Sequence, residues 1–334
     1  MKIKTHELPI FENGPFTDLF KEFILYKRSC GLSYEDSAVY VLRQICRQLN
    51  QYPSKNQELT QDMVFKIVEK RPHEQYSTHS RRISFIRQFA IYLHQKGYSA
   101  YIYPECSIHK EEMTFVPYLF SEQEMDRIID TADSLPEIRR YPQYHRVYPV
   151  LLRLLYSCGL RLSEALHLRV KHYDPKGKTI LIEKSKNYKS RMIPISESMA
   201  LVLAAYLRIR YGSYTEEERY IFEAPDGNVY NRGSVRCTIY NIFKRAGLPS
   251  NIKERHPNVH SLRHNFAVRA MEKMQSEGMD LYCTLPILAK FLGHKGIRET
   301  ERYLRLPAFR MSEIANANKN LVDGIIPEVP QDEI

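Results

Sequence analysis

Between Phe16 and Leu93 apolar residues recur at steps of three and four in four successive segments, a period that suits a bundle of amphipathic helices. Phe16, Leu19, Phe20, Phe23 and Ile24 mark the first helix, which Gly31 stops. Ser33 and Asp36 open the second, with Val39, Leu42, Ile45, Cys46 and Leu49 on one face before Pro53. Thr60 and Asp62 open the third, which buries Met63, Val64, Ile67 and Val68. The fourth begins near Ser77 and runs through Ile83, Ile86, Phe89, Ala90 and Leu93 to Gly97. Residues 1–15, ending in Asn13-Gly14-Pro15, carry no such period and form an irregular lead-in.

A chain of 334 residues is long enough for a second domain with its own core. Residues 104–117 hold two prolines and a mixed polar run, the pattern of a linker between a helical domain at 16–103 and a second domain at 118–315. Residues 316–334 make an acidic tail. Ser121 and Glu124 form a capping box at the start of the second domain. Thr179-Ile180-Leu181-Ile182 and Arg191-Met192-Ile193-Pro194-Ile195 read as a β-hairpin whose tip carries Lys184, Lys186 and Lys189. Helices are expected over residues 199–211, over 233–246, around His260, and from the turn of Pro286 to Gly293. The fold class is therefore mainly α with a small β-sheet.

Lys and Arg number 49 against 39 Asp and Glu, a formal charge of +10. An excess of this sign favours a polyanionic partner, because cations that neutralise phosphates release the counterions condensed on DNA. The six cysteines show no C-x-x-C spacing and sit mostly within apolar stretches, as buried free thiols of a reducing compartment do. No apolar run reaches signal-peptide or membrane-spanning length, so a soluble cytoplasmic protein without a membrane partner is expected.

The residues that carry chemistry lie in the second half. His260 and Arg263 stand three apart, so on a helix an imidazole and a guanidinium share a face. A guanidinium offers a planar fork of donors that fits two phosphate oxygens and stays charged at any working pH, which points to an anionic substrate. Arg161 falls at a sharp turn after Gly159, beside a helix start that also favours anions. Gly293-His294 follows, and Tyr303 lies nine residues beyond that histidine. His256, His260 and His264 recur every fourth residue, as metal ligands do; Pro257 separates the first from the helix, and no cysteine or carboxylate cluster completes a site, so neither a metal nor a cofactor is expected.

In this order, Gly-Leu-Arg161-Leu-Ser-Glu164, His260-x-x-Arg263, Gly-His294 and Tyr303 resemble the catalytic blocks of the tyrosine recombinases, the lambda-integrase and Xer-like family. The resemblance implies a helical, SAM-like core-binding domain followed by a catalytic domain, closing on DNA as a C-shaped clamp. It implies that Arg161 and Arg263 hold the scissile phosphate, with Glu164 supporting the first arginine. His260 assists proton transfer, His294 adds a hydrogen bond, and Tyr303 attacks to leave a 3′-phosphotyrosyl link and a free 5′ hydroxyl. Counting back from Arg191 puts Lys186 where the family carries the lysine that protonates the leaving oxygen, with Lys184 as competitor because Ser185 and Asn187 replace the usual glycines.

The partners implied are double-stranded DNA with inverted-repeat core sites and three further copies of the chain, a monomer when free assembling as a homotetramer on two duplexes that pass through a Holliday junction. The segment after Tyr303 docks on a neighbour or packs back in cis. The expected role is integration, excision or transposition of a mobile element, with chromosome-dimer resolution as the alternative. A type IB topoisomerase and an inactive DNA-binding regulator are the rival readings. Taken singly, Tyr303 would be a packed side chain and His294 a helix-capping one.

Overall fold

The computed structural model describes residues 9–303 apart from 33, 35, 53–56, 106–116, 140, 184–189, 213–215, 250–255 and 302. The chain divides into two compact units, Met1–Met113 and Thr114–Ile334.

The first unit is built on α1 (Thr17–Ser29), α2 (Asp36–Leu49), α3 (Gln61–Val68) and α4 (Tyr76–Gln95). Their apolar stripes close on one another: Phe20 stacks on Phe89 at 3.9 Å and Phe23 meets the Phe89 ring edge-on at 5.5 Å. Each such side chain taken fully out of water contributes about 1.5–3 kcal/mol. The Thr60 hydroxyl accepts from the Met63 amide, so a side chain starts α3 where its free N–H groups need an acceptor.

Basic residues outnumber acids on these helices, yet several are spent internally. Arg82 is buried in a 2.7 Å ion pair with the half-buried Glu74, donates to the Glu69 carbonyl, and has its pKa pushed down by burial. Arg28 donates twice to the Tyr34 carbonyl and Arg87 to that of Tyr103.

The second unit runs α5 (Glu122–Asp133), α6 (Tyr144–Cys158), α7 (Leu162–Leu166), β1 (Tyr173–Asp174), β2 (Thr179–Ile182), β3 (Arg191–Pro194), α8 (Glu197–Tyr211), α9 (Arg232–Arg245), α10 (Val259–Ser276), α11 (Leu281–Leu292) and α12 (Arg298–Glu301). The Ser121–Glu124 capping box forms, with hydrogen bonds of 3.2 and 2.8 Å. The strands make an antiparallel sheet in the order β1-β2-β3, with Ile180 facing Ile193 and Ile182 facing Arg191. Ile180, Ile182 and Ile193 are buried, so the sheet turns its apolar side to the core and sets Arg191 at the loop end of the hairpin's ladder. α10 packs against α6, α9 and α11. Among the described residues no helix is long and apolar enough to cross a membrane.

Three expectations are corrected. The strand β1 has no counterpart in the sequence reading, because two residues carry no alternating pattern. The helix placed from Pro286 begins at Leu281: Asp280 caps it by accepting from the Tyr282 and Cys283 amides at 2.7 and 3.1 Å, and Pro286 then sits inside it on the exposed side. The cysteines were expected buried, and Cys46 and Cys158 are, but Cys30, Cys237 and Cys283 are exposed because they fall on the outward sides of amphipathic helices or at a helix end. Cys106, Lys184, Lys186, Lys189 and the tail after Tyr303 lie outside the described residues.

Candidate active site

Two glycines shape the floor of the site. Gly159 ends α6 and Gly293 ends α11, each in the left-handed region with φ of 58° and 68°. A Cβ at Gly159 would overlap the Phe266 ring, and one at Gly293 would come 2.6 Å from Arg191 Nη1. With neither position able to hold a side chain, three guanidiniums close on the exposed helix-end carbonyls, the partially negative end of a helix.

Arg263 projects from α10 and is 1 % exposed, donating from Nη1 to the Gly159 carbonyl at 2.8 Å and from Nη2 to that of Leu292 at 2.6 Å. Arg161 leads into α7 with its side chain partly exposed; its Nη2 donates to the Gly293 carbonyl at 3.0 Å and its Nη1 to Glu164 Oε1 at 2.8 Å. Among the described residues each guanidinium thus engages two of its five N–H donors. Burial first, then the charge of Arg161, pushes the Arg263 pKa down to about 10, against the opposing pull of Glu164 and Tyr303; it stays cationic at neutral pH.

The buried Glu164 is the common counter-ion. Its Oε2 accepts from the Arg161 backbone amide at 3.0 Å and lies 3.9 Å from Arg263 Nη1. Arg191, the first residue of β3, grips the same carboxylate with both Nη atoms at 3.1 and 2.9 Å. Burial works to raise the Glu164 pKa, but the hydrogen bonds and charges of Arg191 and Arg161 outweigh it and hold the carboxyl below its ordinary range. Three guanidiniums against one carboxylate leave an excess of two positive charges, a locus for an anion. Arg191 is the residue sequence reasoning missed; its only signal was a charge opening a strand otherwise made of Met, Ile and Pro.

The nucleophile candidate and the histidines form the other wall. Asn258 caps α10 through hydrogen bonds from the His260 and Ser261 amides at 2.9 and 3.3 Å, which fixes the helix phase one turn before Arg263. That phase buries His264 and leaves His260 exposed, with the two rings edge-to-face at 4.5 Å. Tyr303 is 2 % exposed, packed with Ala267, Val268, Leu285 and Leu292, and its hydroxyl lies 2.9 Å from His264 Nδ1. His264, one turn beyond His260 on the same helix, thus places its ring on the Tyr303 hydroxyl. His294 holds the Thr300 hydroxyl at 2.7 Å through Nδ1 and lies nearly parallel to Tyr303, centroids 6.2 Å apart.

The structure thus brings Arg161, Glu164, Arg263, His264, His294 and Tyr303 around the ends of α6 and α11 and the buried face of α10, and adds Arg191. Lys186 and its competitor Lys184 are outside the described residues. Within the site Arg263 and Tyr303 are both sealed from solvent, whereas Arg161 and His294 are partly open to it. Among the described residues no group of three His, Cys, Asp or Glu could hold a metal ion.

Comparison with known proteins gives a consistent picture. The model of the phage integrase family matches residues 119–309. A putative integrase/recombinase from Sinorhizobium fredii, y4rB, is 27% identical over 249 residues, covering 74% of this chain and 79% of its own. Tyrosine recombinase XerC from Oceanobacillus iheyensis is 28% identical over 254 residues, covering 72% of this chain and 76% of its own. Among solved structures, the XerH site-specific recombinase bound to its difH substrate in a pre-cleavage complex aligns with a TM-score of 0.61 at 18% identity, covering 93% of this chain and 98% of that one. The Tn1549 transposon integrase in complex with transposon right end DNA aligns with a TM-score of 0.59 at 14% identity, covering 89% and 99%. At these identities the structural likeness speaks to the fold.

Proposed function

The chain belongs to the phage integrase family and is a tyrosine-type, site-specific DNA recombinase, and we propose that Tyr303 is the nucleophile that cleaves and rejoins DNA for the integration or excision of a mobile element. The observation that carries this reading is the convergence of Arg161 and Arg263 on one carboxylate, Glu164, beside a tyrosine whose hydroxyl meets His264, the neighbour of Arg263 on α10.

In the proposed reaction the scissile phosphate meets Arg161 first, then the buried Arg263. Both guanidiniums stabilise the charge that grows on the non-bridging oxygens as phosphorus becomes pentacoordinate. The Tyr303 oxygen forms a bond to phosphorus while the bond to the 5′ oxygen breaks. The phenolic proton passes to a histidine, His260 or His264, the latter 2.9 Å from the hydroxyl, and the leaving oxygen takes a proton from Lys186 or Lys184. His294 supplies a further donor to the phosphate. The phosphotyrosyl bond conserves the energy of the broken ester, so attack by a 5′ hydroxyl of a second duplex reverses the step without ATP or metal.

In this reading residues 16–103 are the core-binding domain, 104–117 the linker and 118–315 the catalytic domain. Four copies act on two duplexes with inverted-repeat sites, and residues beyond Tyr303 dock on a neighbouring copy. The mobile-element role leans on the likeness to a putative integrase/recombinase; likeness to XerC supports chromosome-dimer resolution as the second reading.

A strand-exchange assay separates the possibilities. Two labelled duplexes of different length carrying the mapped site should yield a four-way junction and then exchanged products. Relaxation of supercoiled DNA with no exchanged product would make the enzyme a topoisomerase. A site at the ends of a mobile segment supports integration, whereas a single chromosomal site supports dimer resolution.

A further inference from the structure

We propose that Arg191 is a positioning residue of the DNA-cleaving centre, which fixes the Glu164 carboxylate so that Arg161 keeps donors available for the scissile phosphate. The inference rests on reading Arg161 and Arg263 as the phosphate-binding groups.

Three successive carbonyls at the end of α11 each receive one arginine. Phe291 accepts from Arg191 Nε at 2.7 Å, Leu292 from Arg263 Nη2 at 2.6 Å, and Gly293 from Arg161 Nη2 at 3.0 Å. Arg191 spends both remaining nitrogens on Glu164, one on each oxygen, in the paired fork geometry that only a guanidinium provides. It therefore holds the same two anchors that Arg161 uses, the α11 terminus and the Glu164 carboxylate, while its own side chain is 10% exposed. The close approach is built into the backbone: a Cβ at Gly293 would stand 2.6 Å from Arg191 Nη1.

This arrangement decides how Glu164 pairs with Arg161. With Arg191 in place the carboxylate gives Arg161 a side-chain bond through Oε1 alone, because Oε2 is taken by Arg191 and by the Arg161 backbone amide. With Arg191 removed, the carboxylate is free to turn and close on Arg161 with both oxygens. Those donors would then be withdrawn from the phosphate, and one of the two excess positive charges would be lost with them. The defect of an Arg191 variant is thus specific: it weakens stabilisation of phosphate charge and leaves the nucleophile intact.

The test compares a nicked duplex bearing the mapped site with the same duplex in which a methyl group replaces one non-bridging oxygen of the scissile phosphate. That methylphosphonate is uncharged, so arginines that stabilise charge matter less on it. Full-length protein, Arg161→Ala, Arg191→Ala, Arg191→Lys and Tyr303→Phe would each be assayed for the rate of covalent adduct formation and for DNA affinity. Arg191→Ala should form adduct about 100-fold more slowly on the phosphodiester, a loss typical of a misplaced catalytic group, with affinity changed by less than about threefold, roughly 0.6 kcal/mol. On the methylphosphonate its deficit should shrink to within about tenfold of wild type, in parallel with Arg161→Ala. Arg191→Lys, which keeps the charge but not the fork, should fall between. Wild-type rates in Arg191→Ala, or an equal deficit on both substrates, would overturn the proposal. If Arg191→Ala does not fold, Arg191→Lys alone decides, since a deficit independent of substrate charge rejects a positioning role. If Arg161→Ala itself ignores the charge of the substrate, or Tyr303→Phe still forms adduct, the phosphate-site reading fails before the inference on Arg191 is reached.

Discussion

The hydroxyl of Tyr303 lies 2.9 Å from Nδ1 of His264, the residue that follows Arg263 on α10. One helix therefore carries, in adjacent positions, a guanidinium of the cation cluster and the ring that holds the phenol. The contact is buried, so its loss removes a hydrogen bond from an apolar cluster. His264→Leu should lower stability of the second unit by about 0.5–1.5 kcal/mol, and His264→Asn, which retains an acceptor, by less. Urea denaturation of the full chain measures both, and equal losses would show that the ring fills space and nothing more.

Glu164 predicts a pH dependence. Its folded pKa lies below the ordinary 4.5, so its pairing contributes stability that is fully present above that value and is lost as pH falls through the lower folded value. Glu164→Gln leaves buried guanidiniums without their counter-ion and should cost about 3–5 kcal/mol at neutral pH. The gap between wild type and variant should narrow as the pH drops below 4.5. A gap that stays constant to the acid limit would mean that the carboxylate charge is not what stabilises the cluster.

Gly293 and Gly247 make a matched pair, both left-handed, with φ of 68° and 76°. Only at Gly293 does a Cβ meet a neighbour within 3 Å, and that neighbour is Arg191. Alanine at Gly247 should cost about 1–2 kcal/mol of backbone strain and leave cleavage intact. Gly293→Ala should carry that strain plus displacement of Arg191, and lose DNA cleavage. Thermal melts and adduct yields of the two variants check this, and equal behaviour would contradict the packing described for the arginines.

The parts of the site legible in the sequence are those set by local spacing. Gly159 and Gly293 announce helix ends, the three-residue step from His260 to Arg263 fixes a helix face, and the nine residues from His294 to Tyr303 suit a short turn and helix. What stayed hidden comes from contacts distant along the chain. Arg191 reaches Phe291 and Glu164 across 100 and 27 residues, and nothing near it signals either. His264 touches Tyr303 across 39 residues, and by spacing it looked like one more helical histidine. Arg82 is similar: nothing in the spacing of the fourth helix signals its burial against Glu74.

Covalent trapping tests the central claim most directly. Wild-type protein and Tyr303→Phe would be mixed with nicked duplexes tiled from DNA flanking the gene and run on a denaturing gel with and without EDTA. The account predicts a protein–DNA adduct that resists EDTA, appears on few fragments, and disappears in Tyr303→Phe. An adduct that survives in the variant, or none on fragments that the wild-type protein binds tightly, would contradict it.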